Sequence, residues 1–165
     1  MKMNNITLIG MPGAGKSTLG VVLAKILGYE FLDSDLLIQK EEKRRLYQII
    51  DEEGEEGFKA IENRVNASIE TEDTVIATGG SVVYCSESIG KVVYLRLSLE
   101  SLEKRLGNLK KRGVLLKEGQ TLKSLYEERV PLYEKYADIV VDEEGKDLEA
   151  SLQALLETLQ KEINK

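Results

Sequence analysis

Residues 10 to 17 read Gly10-Met11-Pro12-Gly13-Ala14-Gly15-Lys16-Ser17, which fits the pattern GxxxxGK[ST]. An apolar run, residues 6–9, precedes this stretch, and an amphipathic segment, residues 17–27, follows it, so we expect a strand before it and a helix after it. Glycines let backbone N–H groups converge on phosphate oxygens, and the N-terminus of the helix adds partial positive charge. The stretch therefore predicts a phosphate-binding loop in an α/β fold.

The predicted nucleotide contacts are the residues of this loop and of the first turn after it: Gly10, Gly13, Ala14, Gly15, Lys16, Ser17 and Thr18. Lys16 can reach the β- and γ-phosphates and is a catalytic candidate, and the Ser17 hydroxyl can bind Mg²⁺, which prefers hard oxygen ligands. We expect Mg²⁺ as cofactor and ATP as co-substrate. The NKxD pattern that recognises guanine is absent, because the only Asn-Lys pair is Asn164-Lys165, so a GTP switch is disfavoured.

The composition of the chain disfavours several other classes of protein function. A chain of 165 residues suits one domain, 1–165. Its 23 basic and 29 acidic residues give a formal net charge of −6, which disfavours nucleic acid and anionic lipid as partners. The absence of histidine leaves carboxylate, lysine or tyrosine as proton acceptor. The single cysteine, Cys85, favours a reducing compartment, and no apolar run approaches the roughly 20 residues of a membrane span, so we expect a cytoplasmic monomer.

Short β-rich runs alternate with longer amphipathic ones, which is typical of a parallel sheet with helices on both faces. The predicted strands span residues 6–9, 30–32, 74–78, 92–97 and 139–141. The predicted helices span residues 17–27, 99–106, 122–136 and 147–163, and the last should bury a stripe formed by Leu148, Leu152, Leu155, Leu156 and Leu159. Residues 35–70 are too many for a plain crossover and are helical in pattern throughout, which predicts an inserted helical segment beside the sheet.

Two carboxylates, Asp33 and Asp35, follow the second predicted strand. The carboxyl ends of parallel strands form the edge where α/β folds bind ligands, so both side chains could face the phosphates. The alternative is that one of them only caps the next helix. The nearby phosphate loop favours the functional interpretation.

Five motifs in order, over nearly the whole chain, resemble those of shikimate kinases. They are the phosphate loop, Asp33-x-Asp35, Gly54-Glu55-x-x-Phe58-Lys59-x-x-Glu62, Gly79-Gly80-Ser81 and Glu128-Arg129-x-Pro131-Leu132-Tyr133. No motif after the first is specific by itself, but their joint order is. The resemblance implies a P-loop kinase fold with a five-stranded parallel sheet, a helical substrate-binding insertion at residues 35–70 and a mobile lid at residues 107–119.

The resemblance also implies roles for single residues. Asp33 would hold Mg²⁺ through water, and Asp35 would orient the substrate hydroxyl or accept its proton. The substrate-binding set implied in this way is Asp35, Lys59, Gly79, Gly80, Ser81 and Arg129, in which Lys59 and Arg129 bind a carboxylate. Glu62 would orient the basic residue before it.

The predicted lid contains the basic run Lys110-Lys111-Arg112 between glycines that can act as hinges. A run of this kind is commonly a solvated loop. By resemblance, Arg112 is a catalytic and nucleotide-binding residue that reaches the phosphates, where an arginine stabilises the charge of the transition state. Arg105 matches a residue that packs on adenine.

Three positions depart from the family pattern and bear on the acceptor. Lys59 stands where the family has arginine, Ser81 where it has glycine, and Gly113 where it has proline. Lysine keeps the charge but lacks the planar fork that grips a carboxylate with two hydrogen bonds. We expect a small-molecule hydroxyl acceptor, shikimate first. The alternatives are a kinase of another small hydroxylated acid or polyol, a non-catalytic nucleotide-binding module and a nucleic-acid-processing ATPase, which the acidic charge and the absence of tryptophan disfavour.

Overall fold

The computed structural model describes residues 5–79, 90–106 and 121–163, which form a sheet of five strands flanked by six helices. The strands are β1 (Ile6–Ile9), β2 (Glu30–Asp33), β3 (Thr74–Ala77), β4 (Lys91–Arg96) and β5 (Ile139–Asp142). The helices are α1 (Lys16–Leu27), α2 (Ser34–Glu42), α3 (Leu46–Ala67), α4 (Leu99–Arg105), α5 (Leu122–Tyr136) and α6 (Leu148–Ile163). Each predicted strand and helix outside the insertion is confirmed, with ends displaced by no more than about one residue.

The five strands are parallel and lie in the order β2-β3-β1-β4-β5. Helices join β1 to β2, β2 to β3 and β4 to β5, and because the strands are parallel they all end at the same edge of the sheet. The phosphate loop after β1, the acidic pair at the end of β2 and Gly79 after β3 all lie at this edge. The predicted parallel α/β fold is confirmed.

Each face of the sheet is covered by its own buried cluster. On one face the strands pack against α1 and α6, through side chains that include Leu8, Leu19 and Leu155. On the other face they pack against α4 and α5, through Met11, Tyr94 and Tyr133 among others. The sheet is thus buried on both sides, as expected of a parallel sheet.

The predicted leucine stripe of α6 is confirmed except at its start. Leu152, Leu155 and Leu159 are buried and Leu156 packs partly against the same cluster, but 41% of Leu148 is exposed. The prediction was wrong for Leu148, which is the first residue of the helix, where the chain enters from an exposed segment.

The predicted insertion is helical. Helices α2 and α3 pack on each other around a separate buried cluster made by Ile38, Leu46, Ile49, Phe58 and Val65. Helix α3 is broken at Gly54, whose backbone (φ 74°, ψ −178°) is not helical, so Glu55 and Lys59 lie on the second half of the helix. The two helices stand after β2 and before β3, next to the carboxyl edge of the sheet.

Within residues 5–79, 90–106 and 121–163, no helix is both long enough and apolar enough to cross a bilayer. The predicted lid at residues 107–119 lies outside the described residues.

Candidate active site

The phosphate loop connects β1 to α1 through a left-handed turn. Gly13 (φ 89°) and Gly15 (φ 85°) adopt backbone angles that residues with a side chain rarely reach, and the Ala14 N–H donates to the Met11 carbonyl at 3.1 Å. Gly15 precedes the helix without offering a side-chain cap. The N-terminus of α1 is consequently open to an anion, with Ser17 and Thr18 exposed in its first turn.

Lys16 is folded back over this loop. Its Nζ donates to the carbonyls of Gly10 (2.7 Å) and Met11 (3.0 Å), and only 8% of the residue is exposed. Burial lowers the pKa of Lys16 to about 8, while the Asp35 carboxylate acts in the opposite direction and the Arg129 guanidinium adds to the lowering. The charges of Asp35 and Arg129 therefore act on the lysine that the motif assigns to the phosphates.

Asp33 joins the acidic pair to the loop. Its Oδ2 accepts a hydrogen bond from the Ser17 hydroxyl at 2.7 Å, and its Oδ1 accepts from the backbone N–H groups of Asp35 (2.9 Å) and Leu36 (3.2 Å). Asp33 thus caps α2, which was the structural alternative, and also faces Ser17. One carboxylate does both because its two oxygens point to different partners.

The Ser17 and Asp33 oxygens are chemically suited to Mg²⁺. Both are hard donors, and they already lie at hydrogen-bond distance from each other at the mouth of the loop. Among the described residues no group of three or more Asp, Glu, His or Cys side chains is arranged to hold a metal ion. A magnesium ion here would therefore need phosphate oxygens and water to complete its shell, as is usual when the ion arrives with a nucleotide.

The carboxyl group of Asp35 lies beside Gly79 and Glu62. A Cβ built on Gly79 would lie 2.7 Å from Oδ1 of Asp35 and 3.1 Å from Oε2 of Glu62. Withdrawal from water, together with the charges of Glu62 and Asp33, raises the pKa of Asp35 to about 7 against the lowering effect of Lys16. A carboxyl group with this pKa can exchange a proton near neutral pH.

The two predicted carboxylate-binding cations differ in their surroundings. Arg129 is buried, with 2% exposed, in the middle of α5. Lys59 is about one quarter exposed, and its Nζ donates to Oε1 of Glu55 at 3.0 Å, one helical turn earlier. The structure pairs Lys59 with Glu55 and also brings Glu62 beside Gly79 and Asp35. That Glu62 orients Lys59 stays a prediction.

Arg105 lies against the phosphate loop. It is the exposed last residue of α4, and its Nη1 donates to the Gly13 carbonyl at 3.1 Å. The structure therefore shows that Arg105 contacts the loop at Gly13. Its contact with adenine stays a prediction. Gly80, Ser81 and Arg112 lie outside the described residues.

Two acidic residues of this region were missed as site neighbours by the sequence interpretation. Glu62 was assigned only to Lys59, yet it lies beside Asp35 and is 1% exposed. Glu143 follows β5 and is 6% exposed, whereas Asp142 and Glu144 on either side are exposed. The strand alternation, in which Ile139 and Val141 face the core, was the available signal that Glu143 would also face inward.

Comparison with known proteins agrees with the geometry. The sequence model of the shikimate kinase family matches residues 12–160. The shikimate kinase of Francisella tularensis subsp. novicida (strain U112) is 43% identical over 155 residues, an alignment that covers 88% of each chain. Among solved structures, a shikimate kinase from Acinetobacter baumannii in complex with shikimate superposes with a TM-score of 0.87 at 33% identity, over 99% of this chain and 96% of the other. The shikimate kinase of Aquifex aeolicus superposes with a TM-score of 0.82 at 32% identity, over 96% and 98% of the two chains.

Proposed function

This chain belongs to the shikimate kinase family, and on that premise we propose that it transfers the γ-phosphate of ATP to a hydroxyl group of shikimate. One observation carries the proposal: the partly buried Asp35 carboxylate stands at the same edge of the sheet as Lys16 and close enough for its charge to act on that lysine. A phosphate-binding cation and a proton acceptor therefore share one site, as transfer from ATP to an alcohol requires.

The nucleotide is held by the loop and the first turn of α1. In this proposal the backbone N–H groups from Gly13 to Ser17 and exposed Thr18 surround the phosphates, while Lys16 bridges the β- and γ-phosphates. Ser17 and Asp33 would hold the Mg²⁺ ion, Asp33 through water. The bound ion would neutralise charge that develops on the phosphate oxygens.

The acceptor hydroxyl lies against Asp35. Because the pKa of this carboxyl is about 7, a substantial fraction is ionised at neutral pH and can orient the hydroxyl or accept its proton as the new P–O bond forms. The charge of Glu62, on α3, helps to raise that pKa.

The rest of the acceptor pocket recognises the carboxylate of shikimate. Arg129 and Lys59 supply the positive charge, and residues 79–81 supply backbone contacts. The insertion formed by α2 and α3 is assigned as the substrate-binding part of the molecule, since it carries Lys59 on the second half of α3. By the family resemblance, Arg112, which lies outside the described residues, is assigned to the transferring phosphoryl group, where an arginine stabilises the charge of the transition state.

The Lys59–Glu55 ion pair favours, as an alternative to shikimate, a different acceptor substrate. A carboxylate acceptor would have to share Lys59 with Glu55 at 3.0 Å, whereas an acceptor of another shape could use the pair as donor and acceptor together. The competitor is a kinase of a different small hydroxylated acid or polyol.

The test is ADP release from Mg-ATP over a panel of small hydroxylated acids and polyols that includes shikimate, with polynucleotide as a further arm. Lys16→Ala is the matched control, because it removes the phosphate cation and should abolish transfer while the protein stays folded by circular dichroism. We expect turnover with shikimate to exceed every other acceptor by at least about tenfold in kcat/KM. Transfer to another acceptor only would replace shikimate, and transfer by Lys16→Ala would overturn the loop assignment. Gel filtration and cell fractionation test the accompanying proposal of a cytoplasmic monomer.

A further inference from the structure

Helix α3 is divided by a bend at Gly54 into a first half, residues 46–53, and a second half, residues 55–67. The backbone of Gly54 (φ 74°, ψ −178°) lies in a region that residues with a side chain hardly occupy. Because the bend interrupts the helix, contacts outside its own backbone help to set the angle between the two halves. That angle bears on the acceptor site, since the second half carries Lys59 and Glu62.

The first half is held by Arg44, which lies in the turn between α2 and α3. Its Nη1 donates to Oε2 of Glu52 at 2.7 Å and to Oε1 of Glu53 at 3.2 Å. Glu53 in turn packs on the second half, because a Cβ built on Gly57 would lie only 2.7 Å from the Cβ of Glu53. Arg44 therefore fixes the two residues before the bend, one of which touches the chain beyond it.

The second half is held through Glu42, the last residue of α2. Oε1 of Glu42 accepts from Nη2 of Arg44 at 2.8 Å, and Oε2 accepts from Nη2 of Arg64 at 2.7 Å. Arg64 belongs to the second half, whereas Arg44 holds the first, so one carboxylate connects both sides of the bend. These three residues, together with Glu52 and Glu53, form what we call the bend network.

The centre of the bend network is more shielded from water than an ordinary surface ion pair. The side chains of Arg44 and Glu42 are 22% and 17% exposed. Hydrogen bonds from Arg44 and Arg64 hold the pKa of Glu42 below its usual range, so its carboxylate stays charged at neutral pH. Charged hydrogen bonds that are partly shielded and form a network stabilise one geometry more than isolated exposed pairs do.

Apolar packing holds the insertion together but does not select the angle of the bend. Ile49 of the first half and Phe58 and Val65 of the second pack with Ile38 of α2 in one buried cluster. Burial of this kind is non-directional and tolerates small rotations, whereas charged hydrogen bonds require defined distances and angles. The cluster thus keeps the insertion folded, and the bend network selects one angle.

We propose that Glu42, at the centre of the bend network, is a positioning residue of the acceptor site: the network fixes the angle of α3 at Gly54 and thereby places Lys59 for the acceptor carboxylate. The inference rests on the proposed function, because it assumes that an acceptor carboxylate lies at Lys59. Asp35 should be affected little, since its backbone N–H is held by Asp33 on β2. The expected effect is therefore on acceptor binding, with little change in nucleotide binding or in the transfer step.

The first experiment measures kcat and the KM for shikimate at pH 8, where Asp35 is ionised, and ADP affinity by isothermal titration calorimetry. Arg64→Gln, which removes the tie to the second half, should raise the KM for shikimate about two- to fivefold. Glu42→Gln, which disrupts the contacts with both arginines, should raise it by roughly three- to tenfold. For both variants kcat and ADP affinity should stay within about twofold of the wild type.

A conservative change and a matched control separate positioning from a general loss of stability. Arg64→Lys keeps the positive charge and should have a KM between those of the wild type and Arg64→Gln. Arg96→Gln removes an exposed arginine from a comparable ion pair, 3.0 Å from Asp142 on β5, and should leave the KM for shikimate unchanged. The double variant of Glu42→Gln and Arg64→Gln should be no worse than Glu42→Gln alone, because the two residues act through one contact.

Hydrogen exchange reports on the bend in the absence of any acceptor. Peptides that span residues 50–62 should exchange at least about threefold faster in Arg64→Gln than in the wild type, because the second half loses its tie to α2. Peptides from α1 should exchange at the same rate in both proteins.

Three results would each overturn the inference: a KM for shikimate equal to that of the wild type in both variants, unchanged exchange in Arg64→Gln, or losses that add in the double variant. Should Glu42→Gln fail to fold, Arg64→Gln decides the matter alone, because its side chain is 58% exposed and its loss leaves the Glu42–Arg44 contact in place. No shikimate turnover by the folded wild type would instead overturn the proposed function, and hydrogen exchange would still decide whether the network holds the bend.

Discussion

Asp35 and Glu62 approach the same face of Gly79, where a Cβ would stand 2.7 Å from Oδ1 of Asp35 and 3.1 Å from Oε2 of Glu62. Two carboxylates that converge on one backbone position disfavour each other's charged form. The space between them exists only because residue 79 has no side chain. The pKa of Asp35, about 7, depends on this arrangement and on the withdrawal of its carboxyl from water.

The first prediction follows from that contact. Gly79→Ala should lower kcat by at least about tenfold, because a methyl group closer than van der Waals distance to Oδ1 displaces Asp35 from the acceptor hydroxyl. ADP affinity, measured by calorimetry, should be unchanged, since the loop is untouched. A variant with normal kcat would show that Asp35 can move without loss and is not the oriented base.

A second prediction concerns the chemistry of Asp35. Asp35→Asn should lower kcat by a factor of about 100 or more with little change in ADP affinity, because the amide cannot accept a proton. In the wild type, kcat/KM should fall as pH drops below about 7, where Asp35 becomes protonated, and this limb should be absent from the residual activity of the variant. Weak nucleotide binding combined with normal kcat would place Asp35 at the nucleotide instead.

Asp35 should also reduce the stability of the protein at neutral pH. Its pKa is raised from 3.8 to about 7 in the folded protein, so the folded state keeps a proton that the unfolded state releases between these values. Stability from this group is therefore full below about pH 4 and is lost as pH rises through 7. Asp35→Asn should raise the free energy of unfolding by on the order of 1–3 kcal/mol at pH 8, and by nearly nothing at pH 4.

The control for that stability prediction is Asp142→Asn, whose effect has the opposite sign. The backbone N–H of Glu144 and the Arg96 guanidinium lower the pKa of Asp142, so its contribution is present at neutral pH and is lost on acidification. This variant should melt slightly below the wild type at pH 8. The measurement is the thermal unfolding of the wild type and of the two variants, Asp35→Asn and Asp142→Asn, at pH 4, 6 and 8. If the stability gain of Asp35→Asn did not grow with pH, the raised pKa of Asp35 would be contradicted.

A further prediction addresses the metal. Asp33→Asn should raise the Mg²⁺ concentration needed for half-maximal activity by about tenfold, because an amide oxygen carries no charge for the cation. The fold should be retained, since asparagine is also a good cap for α2, where Asp33 accepts two backbone hydrogen bonds. Titration of activity with Mg²⁺ at saturating ATP is the measurement. An unchanged Mg²⁺ requirement would leave Asp33 as a helix cap only.

The last prediction concerns Lys59 and the acceptor. If the acceptor is shikimate, Lys59→Arg should keep or raise kcat/KM for shikimate, by about fivefold at most, because a guanidinium can bind its carboxylate with two hydrogen bonds while Glu55 stays within reach. If the acceptor is another compound, the wider group should lower activity on that compound without creating turnover of shikimate. Undetectable shikimate turnover by both proteins, in preparations that bind ADP, would rule out shikimate.

Much of the fold could be predicted from local chemistry. The strands and helices follow from periodicity, and the bounds of α5 at Leu122–Tyr136 agree with the prediction because Thr121 caps the helix and Ala137 ends it before β5. The phosphate loop could be identified because the chemistry of anion binding by glycines and a helix N-terminus is contained in eight consecutive residues. These features depend on neighbours in sequence, which are visible without coordinates.

Only the tertiary structure decided which acidic residues meet. Asp35 and Glu62 are brought together because β2 pairs with β3 and α3 packs beside them, and Glu143 is buried while Asp142 and Glu144 remain exposed. In the sequence Glu62 gives no signal that it meets Asp35, and the alternation along β5 indicates that Glu143 faces inward but not which residues it meets. Their pKa values and partners depend on which strands and helices pack against them and remove them from water, and that is a property of long-range packing that short sequence patterns do not contain.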